Sequence, residues 1–178
     1  PDMATDVIFI AQLNARVRRL TRGFVDIRQA ADEARNRLAS PMRLTLARRF
    51  IKDPAHQVRM LGVCLLGDLA PDSAPALKLL RDRVSADADS QVQDALARAF
   101  DSYCAALGYD AALPVIDGWL AHRHPNVRRA VVEGLRTWTS RPYFRERPTE
   151  ARRRLSALRA DPRTLCGPRG LPHPRSQS

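Results

Sequence analysis

Apolar and polar positions recur along this chain at intervals of 34 and 35 residues. Val58, Val92 and Val127 each follow a polar turn, precede Arg or Gln (Arg59, Gln93, Arg128), and open a stretch of helical periodicity. That period is the length of a two-helix solenoid repeat and far from a heptad. Turning about 100° per residue from each valine places offsets 0, +3, +4, +7, +8 and +11 on one face. Those positions hold Val58, Leu61, Gly62, Leu65, Leu66 and Leu69, then Val92, Ala95, Leu96, Ala99, Phe100 and Tyr103, then Val127, Ala130, Val131, Gly134, Leu135 and Trp138. The pattern predicts that this face is the core. Offsets +2, +6 and +9 lie opposite: Met60, Cys64 and Gly67; Asp94, Arg98 and Asp101; Arg129, Glu133 and Arg136. Stacked neighbours would set two carboxylates of one helix beside two guanidinia of the next.

The expected fold is an all-α, right-handed solenoid occupying residues 1–160 as one domain. Residues 5–39 form two cap helices split at Gly23, with Val7, Ile8, Ile10, Ala11, Leu13 and Val17 apolar in the first and a polar outer face expected of an end repeat. Repeats then run over 41–70, 73–106 and 109–138. Ser40-Pro41 predicts a helix start with a hydroxyl cap and Pro at the first helical position. A fourth repeat begins at 148–160, with Asp161-Pro162 matching Asp53-Pro54, and then loses register: Cys166-Gly167 stands where Val-Arg is due. The Pro- and Gly-dense residues 161–178 are expected to be disordered. A departure from the original reading frame near Thr164 would explain the abrupt stop, and a genomic read with an in-frame fourth helix one base away would test it.

Composition narrows the classes. No run approaches the roughly 18 apolar residues of a membrane span, and no signal-peptide pattern opens the chain. A soluble, cytoplasmic, monomeric protein of a bacterial nucleoid is expected. Cys64, Cys104 and Cys166 lack CxxC spacing and the histidines lack ligand spacing, so free thiols and no metal are expected. The net charge is +11, and 28 of the 30 basic residues are Arg, whose forks match phosphate geometry. Residues 151–178 carry seven of those Arg against one Asp, so over half the excess belongs to the C-terminal end.

Residues 88–160 resemble the HEAT-repeat DNA alkylation repair family, the AlkC and AlkD type of alkylpurine DNA glycosylases. The matching stretches are SQVQDALARAFDSYC, GYDAALPVIDGWL and above all HPNVRRAVVEGLRTWTSRPYF, with HQVRMLGVCLLGDLA fitting more loosely. The resemblance implies hydrolysis of the N-glycosidic bond of N3- or N7-alkylated purines in duplex DNA, on a concave basic surface and without metal or organic cofactor. It also implies that Asp94 is the catalytic carboxylate, Arg128 or Arg129 the accompanying Arg, and Glu133 the acidic residue of the AlkC branch. Two departures stand out. Ser90 replaces the Trp that the AlkD branch carries four residues before its Asp, and only five residues separate Glu133 from Trp138 where the AlkC branch has a longer insert.

Each of these residues also has a plainer reading. Asp94 with Arg98, and Arg129 with Glu133, are i,i+4 pairs that stabilise a helix by about 0.2–0.5 kcal/mol with no ligand present. Arg129 and Arg136 are expected to contact phosphate, with Arg98, Arg128 and Arg141 extending the track, although Arg128 lies a step off that face. Trp138 shares its register with the core positions Leu69 and Tyr103 and is read as packing or as base stacking. Trp119 reads as core, and Arg152, Arg153 and Arg154 as a solvated face. The alternatives to an enzyme are a non-catalytic binder of DNA structure and a protein–protein scaffold.

Overall fold

The computed structural model describes residues 3–21, 23–138 and 141–160, excluding the side chains of 135–138, 155 and 157–160. Its helices are α1 (Met3–Arg18), α2 (Phe24–Arg37), α3 (Ser40–Phe50), α4 (His56–Leu69), α5 (Ala74–Asp82), α6 (Ser90–Leu107), α7 (Tyr109–Leu120), α8 (Pro125–Trp138), α9 (Pro142–Glu146) and α10 (Pro148–Ala160). Short 3-10 turns follow α4 and α5. No strand occurs among the described residues. The chain is an α-helical repeat solenoid in which α2, α4, α6 and α8 stack as an inner row, while α3 and α7 pack behind α4 and α8 of their own repeats and α5 packs behind α4 of the preceding one.

The valine register places the core. Every offset 0, +3, +4, +7, +8 and +11 residue of the first two repeats is buried, as are Val127, Ala130, Val131 and Gly134 of the third. Leu135 and Trp138 lie outside the described side chains. Behind this face Trp119 is buried as expected, together with Phe50 and Val84, each eight residues before its valine, and Phe100 stacks on Trp119 with ring centroids 4.2 Å apart. In the first repeat the opposite face is buried too. Met60 and Cys64 are covered because α4 lies between α2 and α6.

The residue after each valine ties the repeat to its own turn. Arg59 Nη1 donates to the carbonyls of Asp53 (2.9 Å) and Pro54 (3.0 Å). Gln93 Nε2 donates to those of Val84 (2.9 Å) and Asp87 (2.8 Å), and Arg128 Nη1 to those of His122 (2.6 Å) and Arg123 (2.9 Å). These donors satisfy carbonyls that a helix end leaves open. The residue before the valine reaches the preceding repeat: Gln57 Nε2 donates to Leu20 O (2.9 Å) and Asn126 Nδ2 to Ser85 O (2.7 Å). The first and third copies of the motif thus make a pair of latches, one within a repeat and one to the preceding segment, and the second makes the latch within its repeat.

Four expectations need correction. Ala39, not Ser40, is the N-cap of α3, and the Ser40 hydroxyl accepts from Arg43 instead of capping. The outer face of the end repeat is not polar: Val7 and Ile8 are 66% and 58% exposed, because α1 has only one neighbouring layer and buries Leu13 and Val17 against it. Arg154 is not on a solvated face. It is 4% exposed, grips Asp117 of α7 through two hydrogen bonds (2.7 and 3.1 Å), and also bonds Glu150. Helix α9 was not expected; its five residues are too few to show a period, and it is held by Phe144, buried against Tyr109. Residues 161–178 lie outside the described residues.

Close approach of α4 to α6 depends on Gly67. A Cβ there would sit 2.8 Å from Ala99 Cβ and 3.1 Å from Ala99 Cα, which cannot swing away. Gly67→Ala gains up to about 1 kcal/mol of helix propensity but overpacks the contact by about 1–3 kcal/mol. A net loss of about 1 kcal/mol is expected in urea unfolding.

Candidate nucleic-acid groove

The inner row leaves an open groove of about 580 Å³ bounded by α2, α4, α6, α8 and the segment leading into α9. Its polar lining is Arg28, Asp68, Asp94, Arg98, Asp101, Ser102, Glu133 and Arg141, with Phe24, Cys64, Gly67 and Gly134 between them. Offsets +2, +6 and +9 are therefore the groove face, and small residues at the helix contacts let the polar ones line a shared floor.

Asp94 and Glu133, from successive repeats, line this same groove. Asp94 is 62% exposed, and its Oδ1 accepts from Arg129 Nη2 of α8 at 3.1 Å. The carboxylate–guanidinium juxtaposition expected between stacked helices is thus present at this position. Arg98 places its guanidinium over the Phe24 ring, 4.5 Å from the centroid. Arg141 bonds Asp101 at 2.9 Å, and that bond raises the Arg141 pKa above its ordinary value. The Tyr109 hydroxyl also donates to Asp101, and burial next to that carboxylate pushes the phenol up to about 12.

Arg128, expected at the DNA surface, is 2% exposed and its Nη1 donates to two turn carbonyls, so it is buried away from the groove surface. Arg136 and Trp138 sit on the last turn of α8, where side chains lie outside the described ones.

Four polar or aromatic lining residues were missed: Phe24, Arg28, Asp68 and Ser102. Arg28 of α2 forks onto Asp68 of α4, with Nη1 3.0 Å from Oδ1 and Nη2 on Oδ2, and also bonds Asp32. Burial opposes the Arg28 charge, yet Asp68 holds its pKa above the ordinary guanidinium value. Asp68 was legible: offset +10 lies next to +6 on the helical wheel. Phe24 and Arg28 belong to a cap helix with no valine register, so the repeat gave no handle on them. Beneath this cluster burial pushes the Cys64 thiol up to about 12.

Among the described residues the floor carries three guanidinia and four carboxylates, one more acid than base, so the concave surface is not the uniformly basic one expected. The cause is visible in the pairs Arg28–Asp68, Arg129–Asp94 and Arg141–Asp101, which hold neighbouring helices together. The side chains of Arg129 and Arg141 remain 40% and 41% exposed. Among the described residues no His/Cys/Asp/Glu group could hold a metal, and no helix is long and apolar enough to cross a membrane.

The chain matches no protein-family model and no curated protein. Two solved structures are similar. AlkD2 from Streptococcus mutans shares 38% identity, with 88% of this chain and 76% of that chain covered at a TM-score of 0.81. The smu.31 protein from Streptococcus mutans UA159 shares 36%, with 88% and 78% covered at a TM-score of 0.78.

Proposed function

We propose, from the premise that this chain belongs to the AlkD-type HEAT-repeat family of DNA alkylation repair proteins, that duplex DNA lies along the inner groove and that Asp94 and Glu133 are its reactive carboxylates. A role in DNA repair is what the family membership supports. Hydrolysis of the N-glycosidic bond of an N3- or N7-alkylated purine is the chemistry the groove is suited to. Such a base is already cationic and leaves without protonation, while positive charge builds on the sugar. An ionised carboxylate beside the sugar stabilises that charge or orients the attacking water. The observation that carries this reading is that Asp94 and Glu133 share one open groove. Arg129 and Arg141, half open to solvent, are placed to position phosphates. No metal or organic cofactor enters this proposal.

Methylated duplex DNA incubated with the protein is expected to release 3-methyladenine or 7-methylguanine. Asp94→Asn should cut release about a hundredfold, with Glu133→Gln also impaired and salt-dependent binding retained in both. Binding without release above a protein-free control would sink the catalytic step and leave the binding role standing.

A second reading, a member that binds DNA without cleaving it, has its own support. Arg129 offsets the charge of Asp94 at 3.1 Å, and exposed Ser90 offers no aromatic wall for a base. On that reading Asp94→Asn alters neither release, which is nil, nor affinity beyond the loss of one ion pair.

A further inference from the structure

A second groove of about 580 Å³ runs between α1 and α3 and shares no lining residue with the inner groove. Its α1 wall is Val7, Ile10, Ala11, Asn14, Ala15 and Arg18, and its α3 wall is Met42, Thr45, Leu46 and Arg49. Numbered from Val7, the first set occupies offsets 0, +3, +4, +7, +8 and +11, the stripe by which the inner helices meet their neighbours. The second set, from Met42, continues it at 0, +3, +4 and +7. Helices α1 and α3 therefore present a helix-packing surface on which no helix of the described chain sits. From Val7 to Arg18 the stripe is about 16 Å long, enough for three turns of a further helix.

The charges select the occupant. The lining holds two arginines and no acid, and both arginines lie at the C-terminal ends of their helices. Exposed Arg19, Arg48 and Lys52 extend the positive end, and Arg18 also reaches Asp53. A second copy of this chain would bring two more arginines and no carboxylate from the same lining, so self-pairing through it is unfavourable. A lipid surface calls for apolar side chains that project; of the large apolar lining residues only Val7 does so, whereas Leu46 lies buried and Ile10 and Met42 are half-buried.

We propose that the α1–α3 groove seats an acidic amphipathic helix of a partner protein, its apolar i, i+3/i+4, i+7 stripe in the groove and its carboxylates against Arg18 and Arg49.

The test uses the full chain and a fluorescently labelled, capped peptide of about 14 residues with Leu at stripe positions and Glu at one end. Anisotropy titration is expected to show saturable binding. Replacing Glu by Lys in the peptide, or Arg49→Glu in the protein, should each weaken it roughly tenfold. Combining the two should recover most of the loss. Ala11→Gln fills the groove at an exposed position and should abolish binding, with circular dichroism verifying the fold. Equal affinity for the Lys and scrambled peptides overturns the proposal, as does binding indifferent to Ala11→Gln and Arg49→Glu. Sedimentation with phosphatidylserine vesicles that Ala11→Gln eliminates, or dimerisation through this face, overturns it as well.

Discussion

Phe100→Ala is expected to destabilise the fold by about 3–5 kcal/mol, the range for truncating a fully buried aromatic, and to lower the melting temperature by roughly 10 °C. Phe100 is fully buried where α6 meets α7, stacked on Trp119 and near Tyr103. The loss has two sources: apolar area returned to water on unfolding is reduced, and the packed surroundings, which include Tyr103 and Trp119, close only partly on the cavity. Against a total stability of about 5–15 kcal/mol for a chain of this kind, it is a large share. Phe100→Leu keeps most of the volume and should cost under about 1.5 kcal/mol. Thermal melts and urea titrations of both variants check this, and a Phe100→Ala chain as stable as the parent would mean that the second and third repeats are not packed through this ring.

Arg128→Met should cost about 2–4 kcal/mol, because it keeps the volume of a buried side chain but removes charge-assisted hydrogen bonds to the carbonyls of His122 and Arg123. Arg128→Gln should recover part of the loss, since Gln93 makes the equivalent contacts with an amide in the second repeat. Arg128→Lys should recover less, as a point charge on a flexible stem cannot reproduce the fork. A role at the DNA surface predicts something different: a lower slope of affinity against salt. Near-parent stability of Arg128→Met with a reduced salt slope would return Arg128 to the nucleic-acid contacts.

These two positions show what a pattern of residue types carries. Phe100 was legible as core because +8 from a valine is a core offset on any helix of 3.6 residues per turn. Arg128 was misplaced because its rim position on the wheel fits both a long side chain that reaches solvent and one that curls back to its own turn. Deciding between them takes the backbone of that turn, which leaves two carbonyls pointing at the guanidinium. Arg154 follows the same logic. In sequence it belongs to a run of three arginines, and only the position of Asp117 on α7 singles it out for burial.

The groove divides along a similar line. Asp94, Arg98, Asp101 and Glu133 were placed on one face by offsets alone, and that face does line one groove. The family resemblance implied that this face would be basic, yet neither a likeness nor the charge summed over the chain says which groups become neighbours. Helix stacking brought Arg28 to Asp68, Arg129 to Asp94 and Arg141 to Asp101, so that these three carboxylates of the floor each face an Arg.

The amino-acid order by itself determined the repeat, the helices and the side of each that turns inward, because periodicity and the geometry of a single helix are local properties. It also carried the family likeness. Only the tertiary structure decided which charges meet, that Arg128 and Arg154 are buried, that the cap helix α1 keeps an apolar groove open beside α3, and that α9 exists. Those outcomes depend on distances between residues some 30 to 40 positions apart, which are fixed by how the helices pack.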